Sequence, residues 1–175
     1  MVKLLELEEL PIRIDAHGRW LHGTEPLHPR VERLFARHVV PTAEGYSVQL
    51  GFRKAPVHVH DTAFFIRQTR IYADAEDPEW IRGVWLVLSD EASEWLDPSS
   101  LMQSSENVLY CRVRRGNMRV PARFGAAHYH ELGMFVQAGP NGLGLPIGER
   151  IWPLAAYDPQ PLAANQAERG AAAND

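Results

Sequence analysis

The chain has 175 residues, 45% of them hydrophobic, which suits one domain or two small ones sharing a core. Its 18 Lys and Arg against 22 Asp and Glu leave a net charge of −4, which excludes the broad basic field of a protein that grips nucleic acid through its phosphates. The single cysteine, Cys111, excludes an internal disulfide and a thiolate metal cluster and fits a reducing compartment.

The first residues, MVKLLELEELP, lack the basic start and apolar run of a secretory signal. No apolar run approaches the ~20 residues that span a bilayer. The expectation is a cytoplasmic protein without membrane contact.

Residues 11–22 read as two short strands, with Ile12 and Ile14 alternating before a turn at Asp15 to Gly18 and Trp20 restarting the strand. A helix follows, opened by Pro29, with Val31, Leu34, Phe35 and Val39 on its apolar face and Pro41 ending it. Period-two alternation predicts strands over 45–52, 55–61, 64–73, 80–90 and 107–115, and RGN at 115–117 makes a tight hairpin turn. Residues 89–97 read as a solvated acidic loop or short helix, and the serines of 99–105 as a flexible loop.

From Ala122 to Ala138 spacings of three and four predict a second helix, stopped by GPNG at 139–142. Residues 142–154 read as a final hairpin. The order of elements gives an α+β fold with segregated helices. The expected division is an N-terminal α+β subdomain over 1–62, a strand-rich subdomain with one helix over 63–156, and a disordered tail over 157–175.

Paired histidines are the most conspicuous chemistry. On a strand, His58 and His60 point to one face, where both reach one metal. On a helix, His128 and His130 diverge by roughly 200°. A site from His58, His60 and either His128 or His130 is one alternative; the ordinary reading puts His58 and His60 on the solvent face of a half-buried strand. Cys111 falls on the apolar side of its strand and reads as core. The glycines of 139–148 lack the strand–GxGxxG–helix context of a phosphate loop. Arg123, read as opening the second helix, could take a phosphate or carboxylate there. Its alternative is a structural pair with an acid such as Asp61.

An ordered set of residues resembles a bacterial family of unknown function, DUF1285. The set includes Asp15, Gly18, Trp20 and Gly23; Leu34 and Phe35 in a helix led by arginine; and Gly45 and Tyr46. It continues with Val57, Val59, Asp61 and Phe64, then Ala122, Arg123, Phe124, Ala127, Tyr129, Glu131 and Leu132, and closes on Trp152, Pro153 and Leu154. The resemblance runs from about Pro11 to Leu154. It implies a duplicated α+β core whose C-terminal half is superficially like a pleckstrin-homology barrel. It also implies a ligand site between the halves for a nucleotide-like molecule in signalling, with no established activity. The chain departs from the family at Leu50 to Lys54, where a TPVEK stretch keeps only its lysine, and at His60 to Phe64, where EDAPF is usual.

The combined expectation is a ligand-binding or regulatory protein rather than an enzyme, without a cofactor or nucleic-acid partner. Its oligomeric state is left open. Arg123 and Lys54 would meet anionic groups, Tyr129, Phe64 or Trp20 would stack on the ligand, and Asp61 would orient Arg123. A metal-dependent enzyme and a protein-interaction module are the alternatives.

Overall fold

The computed structural model describes residues 11–158, which fall into two compact units, 11–63 and 64–158. Both are mixed sheets accompanied by a single α-helix, so the described chain is α+β.

The first unit starts with the expected strand pair, β1 (Ile12–Ile14) and β2 (Trp20–His22). The Asp15 carboxylate shapes their turn, accepting hydrogen bonds from the backbone N–H of His17 and Arg19, both at 2.9 Å, and from Arg19 Nε at 2.7 Å. A short β3 (Glu25–Pro26) leads into α1 (Pro29–His38). Pro29 occupies the first turn, where a missing N–H costs nothing, and His28 Nδ1 accepts from the Arg30 N–H. Phe35 and Ala36 are buried, and Phe35 meets Trp20 edge to face at 6.0 Å.

Leu34, expected on the buried face, is 43% exposed. The helix packs through Phe35 and Ala36, rotated from the face that size alone favoured. Pro41 does not end the helix. The helix stops at His38, and Pro41 lies in β4 (Val39–Thr42), an edge strand that tolerates a residue without an N–H. With β5 (Gly45–Leu50) and β6 (Arg53–Val59) the sheet order is β3-β2-β1-β6-β5-β4, and β1 runs parallel to β6.

The second unit is built on the long hairpin of β7 (Phe64–Ala73) and β8 (Ile81–Leu88). The residues read as a solvated acidic loop include a short strand, β9 (Ser93–Trp95), paired with β8. A single 3-10 turn at Pro98–Ser100 precedes β10 (Met102–Gln103). The serine stretch is thus partly built in: the Ser100 hydroxyl donates to Asp97 O and accepts from the Arg112 N–H.

β11 (Leu109–Arg115) turns through Gly116, at φ 58, into β12 (Met118–Phe124), which also pairs in parallel with β7. The second helix is much shorter than expected. α2 covers only Ala126–Gly133, because Ala122 to Phe124 are held in β12, paired with β7 on one side and, up to Arg123, with β11 on the other. GPNG is the turn between β13 (Gln137–Gly139) and β14 (Gly142–Ile147), not a helix stop. β15 (Arg150–Pro153) completes the expected hairpin, and β16 (Ala155–Ala156) pairs in parallel with β10. The core includes Phe64, Ile81, Leu86, Cys111, Val120 and Leu145. Of the tail expected from residue 157, only Tyr157 and Asp158 are described, and Tyr157 stacks on Tyr110 at 3.9 Å; the rest lies outside the described residues.

Candidate functional site

Strand alternation sorts the arginines of the second unit into two chemistries. On the core side of β11, Arg115 lies over the Phe64 ring at 4.7 Å and is only 13% exposed. Asp90 accepts from its Nε at 2.6 Å and its Nη2 at 3.0 Å, and Glu94 accepts from its Nη1 at 2.9 Å. This closed arrangement is structural: two carboxylates and a ring consume the guanidinium.

The opposite face of β11 and β12 carries four other arginines, Arg112, Arg114, Arg119 and Arg123. Phe65, Arg123 and Tyr110 form one cross-strand row, followed by Pro121 with Arg112, then Arg119 with Arg114. Arg119 is paired with Asp97, whose carboxyl is held below the usual range chiefly by the Ser99 hydroxyl and then by Arg119, against partial burial. The Arg112 and Arg114 side chains donate no hydrogen bond to any described residue. Arg123 is half-buried within β12. Gly125, not Arg123, caps α2, so Arg123 gains nothing from free N–H groups of a helix start.

The other expected residues have settings of their own. Trp20 is 3% exposed against Phe35, and Phe64 is fully buried beneath Arg115. Neither ring presents a face to a ligand. Tyr129 lies on α2, and its hydroxyl accepts from Gln103 Nε2 at 3.1 Å; Gln103 pairs with core-facing Leu109, so Tyr129 does not join the Arg123 row. Lys54 and Asp61 belong to the first unit, Lys54 exposed on β6.

His58 and His60 are exposed, with buried Val57 on the other side of β6. His130 is exposed, whereas His128 is used internally. Its Nε2 donates to Arg67 O at 2.9 Å, and its Nδ1 lies 3.2 Å from Thr69 Oγ1 and 3.4 Å from Glu131 Oε2. Thr69 donates its proton to Glu131 at 2.7 Å, and that bond, then His128, lowers the Glu131 pKa. This is not a charge-relay triad, because the carboxylate takes the hydroxyl proton and the outer imidazole nitrogen is spent on a backbone carbonyl. It fastens α2 to β7. Among the described residues, no group of three or more His, Cys, Asp or Glu is placed to hold a metal ion. Cys111 is fully buried, and burial pushes its thiol pKa far up. No described helix is long and apolar enough to cross a membrane.

Two solved structures share this fold, and both are DUF1285 family proteins. The one from Silicibacter pomeroyi DSS-3 is 16% identical, with a TM-score of 0.66 over 83% of this chain and 80% of its own. The one from Shewanella baltica OS155 is 18% identical, with a TM-score of 0.55 over 74% of this chain and 95% of its own. The chain is therefore a DUF1285-like domain by fold. No sequence-family model matches it, and no curated protein does.

Proposed function

We propose that this protein shares ancestry with the DUF1285 proteins and binds a small anionic, nucleotide-like ligand in a regulatory role. The ligand's anionic group would lie on the outer face of β11 and β12. The observation that carries this reading is Arg112, a half-buried arginine bonded to no described residue through its side chain, diagonal to Arg123 and next to Tyr110 in the same strand face. Guanidinium groups suit a phosphate or carboxylate, while buried Tyr110, stacked on Tyr157, braces the strand beneath them.

The resemblance also implies a duplicated core with a pleckstrin-homology-like C-terminal half. Duplication draws support from topology: in each unit the first strand pairs in parallel with the sixth, β1 with β6 and β7 with β12.

A thermal-shift screen of mono- and dinucleotides tests the ligand. A nucleotide present at 100 times its Kd should stabilise the protein by about 2.7 kcal/mol. The shift should vanish in Arg112→Ala and Arg123→Ala. If no nucleotide shifts the wild type more than these variants, the reading fails.

A further inference from the structure

A second place in the molecule has the shape and charge of a binding site, and it lies wholly within the first unit. The face of the β1–β6 pair that carries Arg13, His58 and His60 forms an open cavity of about 360 Å³. Pro11, Ile14, Asp15 and Val59 complete its lining, which is mostly carbon. Arg13 and His58 are direct partners in the parallel register, so their side chains leave the sheet together. His60 is fixed beside them, its N–H donating to Ile14 O at 2.9 Å.

The cavity also contains a carboxylate, which would ordinarily repel an anion. Asp15 is different because it is already committed. Burial works against its ionisation, but hydrogen bonds from the backbone and side chain of Arg19 and the backbone of His17 outweigh this and lower its pKa. Arg19 Nε lies 2.7 Å from the carboxylate and offsets its charge. Arg13, by contrast, is exposed and makes no hydrogen bond or ion pair with any described residue.

We infer that this cavity binds a small planar acid, an aromatic or heteroaromatic ring carrying a carboxylate or phosphate. Arg13 grips the acid, while His58 and His60 flank the ring over the carbon lining. The charged group alone makes a poor ligand, because bare phosphate leaves the carbon lining wet. A neutral ring is also poor, because it leaves Arg13 without a counter-charge. This site is independent of the one proposed on β11 and β12.

The test is titration of the full chain with phenyl phosphate, benzoate, inorganic phosphate and benzyl alcohol, followed by amide and histidine-ring NMR. Phenyl phosphate and benzoate should produce saturable shifts at Arg13, Asp15, His58, Val59 and His60. Inorganic phosphate and benzyl alcohol should bind about tenfold more weakly or worse, a difference of about 1.4 kcal/mol. Read at the shifts of Asp15, Val59 and His60, Arg13→Ala should lose at least about tenfold in affinity for phenyl phosphate, and His58→Gln should lose less. Both first-unit substitutions fall on exposed side chains, so folding survives them. Absence of saturable shifts, equal binding of inorganic phosphate, or unchanged affinity in Arg13→Ala would each overturn the inference. Shifts confined to the second unit, around Arg112 and Arg123, would assign the binding there instead.

Discussion

Arg115 and Arg112 stand three residues apart on one strand and face opposite ways. Arg115 is enclosed by Asp90, Glu94 and the Phe64 ring, while the Arg112 side chain bonds to no described residue. One residue type serves two purposes, and strand parity decides which. The enclosed arginine stabilises the fold only while its partners remain. The open one is free to meet something else.

The largest expected effect breaks this contrast at the closed end. Arg115→Ala strands Asp90 and Glu94 in a half-dry site and should cost about 3–5 kcal/mol, measured by urea unfolding. Arg112→Ala should change stability by no more than about 0.5 kcal/mol in the same assay. Equal losses would abolish the distinction.

Closed and open surroundings should also separate two glycines. A Cβ at Gly144 would lie 2.3 Å from the Trp152 carbonyl oxygen, a backbone atom that cannot step aside, so Gly144→Ala should cost about 1–3 kcal/mol or more. At Gly83 the added Cβ meets the Trp95 ring at 3.1 Å, and that ring is 56% exposed and able to tilt. Gly83→Ala should therefore be milder than Gly144→Ala by thermal melting.

A smaller effect belongs to Asp97. Its folded pKa is depressed below the ordinary 3.8, so its contribution is complete above that value and is lost as pH falls through the folded pKa. Asp97→Asn should flatten the acid limb of a Tm-against-pH curve, by less than about 1 kcal/mol because the ion pair is partly exposed. The mildest test leaves stability untouched: Cys111 should resist alkylation in native protein and react fully in denaturant, because burial disfavours its thiolate.

The sequence made local alternation legible. Strands β5, β6, β7, β8 and β11, the hairpin at Gly116 and the burial of Cys111 follow from period-two patterns and turn chemistry alone. It misjudged 122–138 because Phe124, Ala127, His128 and Leu132 happen to satisfy helical spacing. Strand β12 is decided instead by its hairpin partner β11 and by β7, which is distant in sequence and which no local window contains.

The site was less legible for the same reason. Trp20 and Phe64 were read as ligand walls, and both proved to be core once α1 and Arg115 were in place. The acids of 89–97 were visible as charge, but their grip on Arg115 depends on a fold-level approach. Arg13 carried no signal beyond its position opposite buried Ile12 and Ile14. Only the parallel register brings it to His58.

The parallel pairing of first and sixth strands sets a condition on how quickly each unit forms. Ile12 must find Val57, and Phe64 must find Ala122, after all the intervening chain has been made. Loop-closure entropy is spent before those contacts stabilise anything, so the slow step of folding should be this long-range pairing rather than formation of α1 or a hairpin. Substitutions at β12 that weaken its pairing with β7 should therefore slow folding more than they speed unfolding, read from the two arms of a chevron plot.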